Sequence, residues 1–152
     1  MFTEQNIDQL IENIKRKRLG LICNRHSENR YVRWDFSPSQ KCQYSVSAYL
    51  YKDGDLEISA KLRDHEESDF WHYPIELVRG VSEEERAEEF SKALSSVLLS
   101  PSRIIQERGL FLWHFTMETF NNDKWTPLYG HSYVRWGFSV PKIDGKKRIY
   151  EG

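Results

Sequence analysis

The chain has 152 residues, 14% of them aromatic and 39% hydrophobic, which is too much apolar mass for a disordered chain and enough for one domain with a real core. Its 22 Lys and Arg stand against 23 Asp and Glu, a formal net charge of −1. A general nucleic-acid binder displaces counterions with a basic excess, and none is present overall.

The first predicted element is an amphipathic helix. Thr3 is a candidate N-cap, Phe2 can staple onto Ile7, and Ile7, Leu10, Ile11 and Ile14 recur at helical spacing as one apolar stripe. Lys15-Arg16-Lys17-Arg18 crowds cations where the helix dipole favours them, and Gly20 can stop the helix. The dipole explains this short basic run more simply than a phosphate contact does. The start of the chain has no apolar signal-like region, and no run approaches the ~18 apolar residues that span a bilayer. A cytoplasmic location, with reduced thiols, is therefore expected. Cys23 and Cys42 sit in predicted strands, and a disulfide would need those strands to be neighbours.

Leu21-Ile22-Cys23 opens β structure, and His26-Ser27-Glu28-Asn29 is read as a turn. The strand Tyr31–Ser37 follows, with Val32, Trp34 and Phe36 on one side and Tyr31, Arg33 and Asp35 on the other. Ser37-Pro38-Ser39-Gln40 breaks it. Residues 42–51 and 55–63 then flank Asp53-Gly54 as a hairpin. A two-residue loop would mix the faces. A three-residue loop with Gly54 as a left-handed bulge residue pairs Leu50 with Leu56, Ala48 with Ile58, Val46 with Ala60 and Tyr44 with Leu62, all on one buried face. Tyr49 and Tyr51 fall on the opposite, polar face.

Asp64–Asp69 is an acidic loop containing Glu66 and Glu67, and Phe70–Tyr73 is a short edge strand stopped by Pro74. Ser82 and Glu85 form a capping box for a second helix with Phe90, Leu94, Val97 and Leu98 as its stripe. Pro101 is read as the start of a further short helix, packed by Ile104 and Ile105 and closed by Gly109. Alternation at Phe111, Trp113, Phe115 and Met117 marks another strand, Asn121-Asn122-Asp123 a turn, and Asp144-Gly145 a final turn before Arg148–Tyr150. The expected fold is a single α+β domain over residues 1–152. It has a mostly antiparallel sheet of about six or seven strands, packed against the N-terminal helix and a second helical region over 82–108.

One motif occurs twice. Tyr31-Val32-Arg33-Trp34-Asp35-Phe36-Ser37 returns as Tyr133-Val134-Arg135-Trp136-Gly137-Phe138-Ser139, and His26-Ser27 and His131-Ser132 precede the copies. Strand alternation assigns Val, Trp and Phe of each copy to a core. Tyr31, Arg33, Tyr133, Arg135 and the histidines remain as candidates for contact with a ligand.

Catalytic chemistry finds little support. Cys23-x-x-His26 is half of a zinc spacing with no second pair, and no metal or other cofactor is expected. No nucleophile elbow and no phosphate-cradling glycine loop occurs. Glu57 and Lys61 share a strand face but lack the acid–lysine spacing of a metal nuclease, and Asp53 and Asp55 serve the hairpin turn. A metal-free ribonuclease would need His26 and His131 to converge with Arg33 and Arg135, which neighbouring repeat strands would allow.

The residue types left are those of interfaces: Tyr31, Arg33, Tyr49, Tyr51, Tyr133 and Arg135 as anchors, with Glu66, Glu67 and Asp69 as an acidic rim. Compact, near-neutral α+β domains with acidic loops and no catalytic motif occur among bacterial toxin-neutralising immunity proteins. By that class analogy the expectation is a non-catalytic cytosolic protein that binds a partner, such as a basic toxin domain. The alternatives are RNA binding or cleavage through the two repeat strands, with Lys142, Lys146, Lys147 and Arg148 on phosphate, and a homo-oligomer that buries its own aromatics.

Overall fold

A computed structural model describes residues 2–37, 42–62, 70–75, 81–108, 112–134 and 148–152. Helix α1 (Glu4–Lys17) buries Ile7, Ile11 and Ile14, and the Asn6 side chain accepts the Thr3 backbone N–H at 2.8 Å at its start. The basic run does local work: Nη1 of Arg18 donates to the Leu98 carbonyl at 2.6 Å, satisfying an end of the second helix. Gly20 then turns the chain at φ 85°, a conformation glycine adopts without strain.

Strands β1 (Ile22–Ser27), β2 (Tyr31–Ser37), β3 (Tyr44–Tyr51), β4 (Leu56–Leu62) and β5 (Phe70–Ile75) form an antiparallel sheet in chain order. We call it sheet A. The β3–β4 register is the one expected from burial, from Tyr44 opposite Leu62 to Leu50 opposite Leu56, with Gly54 at φ 92°. His26 and Ser27 belong to β1 rather than to the turn, because their backbone pairs with Arg33 and Val32 of β2. β5 lies at the sheet edge as expected, and it continues through Pro74 to Ile75.

Helix α2 (Glu83–Leu99) starts on the expected capping box, the Glu85 backbone N–H donating to Ser82 Oγ at 3.1 Å. The short helix expected after Pro101 is instead a strand, β6 (Ser102–Arg108). It runs between β7 (Leu112–Asn121) and β9 (Arg148–Glu151), and β8 (Lys124–Val134) lies on the far side of β7. This second antiparallel sheet, sheet B, makes nine described strands in two sheets, where one sheet of six or seven was expected. The fold class is α+β.

A single hydrophobic cluster joins these parts. Ile7, Ile11 and Ile14 of α1 and Phe90, Leu94 and Val97 of α2 pack with Trp34, Ile58 and Trp71 of sheet A and Ile104, Phe115 and Met117 of sheet B. Both cysteines are free thiols, and β2 lies between the strands near which they sit. Among the described residues no helix is long and apolar enough to cross a membrane.

Candidate functional site

Because β residues alternate, burying Val32, Trp34 and Phe36 under the helices turns Tyr31, Arg33 and Asp35 to the other side of sheet A. The register then builds rows across that side. His26, Arg33, Tyr49 and Glu57 stand opposite one another in succession, and Asn24, Asp35, Ser47, Ser59 and His72 form the next row. Tyr31 opposite Tyr51 completes one end. The result is an open concavity of about 740 Å³.

Three tyrosines dominate one end of it. The Tyr31 ring meets Tyr49 and Tyr51 edge-on at 5.4 and 5.7 Å, and Tyr49 and Tyr51 stack at 6.0 Å. Such contacts fix ring orientation. Two carboxylates organise the rest. Asp35 accepts from Nε of Arg33 at 3.0 Å and from Oγ of Ser47 at 2.7 Å, and Nε2 of His26 lies 3.2 Å from it. Glu57 accepts the Tyr51 hydroxyl at 2.9 Å, with Nδ1 of His72 at 2.6 Å. Burial, reinforced by the Glu57 charge, pushes the Tyr51 phenol above its ordinary value. Arg33 is held above its own: burial opposes the charge, and the Asp35 carboxylate with Tyr49 and Tyr31 outweighs it.

Comparison with protein-family models, with curated proteins and with solved structures finds no match to this chain. The geometry therefore carries the reading.

Of the residues expected to contact a partner, the structure gathers Tyr31, Arg33, Tyr49 and Tyr51 on this one face. Tyr133 is placed on β8, paired with Trp113 in the other sheet. Glu66, Glu67, Asp69 and Arg135, with the basic residues 142, 146 and 147, lie outside the described residues. The repeat copies are not neighbours where both are described: β2 pairs with β1 and β3, and β8 pairs with β7. His26 and His131 accordingly belong to different sheets. His26 and His72 do share a face, but four strand spacings separate β1 from β5, about 19 Å, too far for joint acid–base work on one bond.

Sequence reasoning missed the Glu57–His72–Tyr51 cluster. The β4–β5 pairing makes it, and nothing local in the sequence states which strand β5 joins. Among the described residues no group of three or more His, Cys, Asp or Glu is arranged to hold a metal ion. Among the described residues that line it, Arg33 and Lys61 are balanced by Asp35 and Glu57, so these groups offer phosphate no net attraction.

Proposed function

We propose that this chain is a non-catalytic binding protein that holds a protein partner against the open face of sheet A. In its finer form the reading is of the toxin-neutralising type, in which the bound chain covers the partner's active site. The observation that carries it is the Tyr31–Tyr49–Tyr51 cluster beside Arg33, half-buried and oriented by its own contacts. Tyrosine and arginine offer large contact area, and rings already held in place lose little freedom on binding. Balanced charge on the face and rings turned toward one another favour a protein over RNA, which needs cations for phosphate and open ring faces for bases. The chain between β4 and β5 carries Glu66, Glu67 and Asp69, an acidic complement for a basic partner.

The test replaces Tyr49 with a photo-crosslinking phenylalanine derivative in the producing cell and identifies the adduct. One protein, captured at equal stoichiometry and unaffected by nuclease, is expected. Its affinity should fall at least 30-fold for the Tyr31→Ala/Tyr49→Ala double variant, the scale of hot-spot truncation, and stay unchanged for Trp125→Ala on sheet B. An adduct lost on nuclease treatment, or a double variant that binds like the parent, rejects the reading.

A further inference from the structure

A second concavity, of about 800 Å³, lies where both helices begin, closed by the β1–β2 turn and the β3–β4 hairpin. Its apolar lining comes from Phe2, Val32, Leu50 and Val81. Its charged lining is acidic: Glu4, Glu28, Asp53 and Glu83 outnumber Lys52 and Arg86. Helix N-termini often attract anions, but here the lining is acidic and several of the nearby donors are already taken. Asn6 accepts from the Thr3 backbone N–H, Ser82 and Glu85 cap each other, and the Phe2 N–H donates to Glu83 Oε1 at 2.6 Å. Glu4 is paired with Arg25, which leaves Glu28 and Asp53 as the acidic groups beside the apolar lining.

Arg86 adds a donor in need of an acceptor. It is 5% exposed and lines the cavity, and its Nε has no hydrogen-bond partner among the described residues. Nη1 makes one long hydrogen bond, 3.3 Å to the Gly54 carbonyl, and stands 3.9 Å from the Asp55 carboxylate. A buried guanidinium left short of acceptors is costly, and because Nε is closed off as it stands, a ligand reaches it only when the weakly held guanidinium turns into the cavity. A peptide carbonyl entering there supplies what is missing.

We propose that this cavity receives a basic, apolar-tipped peptide segment of the partner. The apolar side chain packs on Phe2, Leu50 and Val81, a flanking Lys or Arg meets Glu28 and Asp53, and a backbone carbonyl accepts from Arg86. Tyr31 and Tyr51 line both this cavity and the open face, so one partner reaches both around the end of β2 and β3. In that respect the inference rests on the reading of the open face as a partner surface.

The test uses the intact chain with two probes, acetyl-Lys-Leu-Lys-amide and acetyl-Glu-Leu-Glu-amide, followed by nuclear magnetic resonance. The basic probe should give saturable shifts at the Gly54 and Val81 amides and at the Arg86 Nε–H signal. The acidic probe should bind at least tenfold more weakly. Glu28→Lys, at an exposed turn where folding is not at stake, should weaken the basic probe at least threefold. No saturable shift, equal response to the two probes, or unaltered affinity in Glu28→Lys overturns the proposal. The crosslink at position 49 is read separately: an adduct without a peptide response removes the cavity and keeps the open face, and a peptide response without an adduct removes the open face and the continuity drawn from it.

Discussion

Tyr44 shows how one side chain ties burial, hydrogen bonding and pH together. It is 1% exposed, and its hydroxyl shares a short hydrogen bond with Ser102 Oγ. Burial pushes its phenol up to about 12, against the opposing effect of the Ser102 bond. The folded value lies above the unfolded one near 10, so on alkaline titration the unfolded chain loses this proton first. The group's contribution to stability is intact below about pH 10 and drains away as pH rises toward 12. The total at stake is on the order of 2–3 kcal/mol. Denaturation midpoints at pH 9, 10 and 11 should therefore fall more steeply for the parent than for Tyr44→Phe. Tyr51, raised by burial and Glu57, supplies a slope that remains in the variant. Identical slopes would assign the alkaline loss to other groups.

At the scale of elements, α1 is anchored to sheet A by more than its isoleucines. The buried Trp34 indole donates to Asp8 of α1 at 2.8 Å, and Arg25 of β1 pairs with Asp8 at 3.2 Å and also with Glu4. Asp8→Ala would strand the indole N–H in the core and should cost roughly 1–3 kcal/mol in urea denaturation. Asp8→Asn keeps an acceptor and should cost less. Equal losses would mean that the Arg25 ion pair, and not the indole bond, holds the helix.

Sequence patterning reached these elements unevenly, for physical reasons. The β3–β4 hairpin was legible to the residue because the three-residue loop puts Leu56, Ile58, Ala60 and Leu62 opposite Leu50, Ala48, Val46 and Tyr44, apolar against apolar, where a two-residue loop mixes the faces. The faces of β2 followed from alternation, and with them Tyr31 and Arg33. β6 was not legible. It lies between β7 and β9, and Ile104, Ile105 and Gln106 are buried in succession, so period two is lost and Pro101 imitates a helix start. The Asp35 and Glu57 clusters depend on strand order, which local pattern does not encode. Copy one of the repeat is a whole strand, whereas copy two begins at the end of β8 and leaves the described residues at Arg135. The Tyr-Val pair that opens each copy thus stands in two different sheets.

For the whole molecule, the question is whether two sheets make one cooperative unit. Hydrogen bonds stitch them at one seam: Tyr44 to Ser102, the Gln43 N–H to the Glu151 carbonyl at 3.0 Å, and the Glu151 N–H to Gln43 Oε1 at 2.8 Å. Elsewhere β5 of sheet A touches β7 and β8 of sheet B, and the core runs continuously from Trp34 to Phe115. A cavity opened on one side should therefore be felt on the other. Phe115→Ala removes a fully buried ring from sheet B and should cost about 3–5 kcal/mol. Its effect should appear equally in the Ala48 amide of β3 and the Thr116 amide of β7, with one thermal transition whose calorimetric and van't Hoff enthalpies agree. If β3 keeps its protection while β7 loses it, the sheets unfold separately. The open face of sheet A would then stand without sheet B, and partner affinity measured in Phe115→Ala would survive the loss.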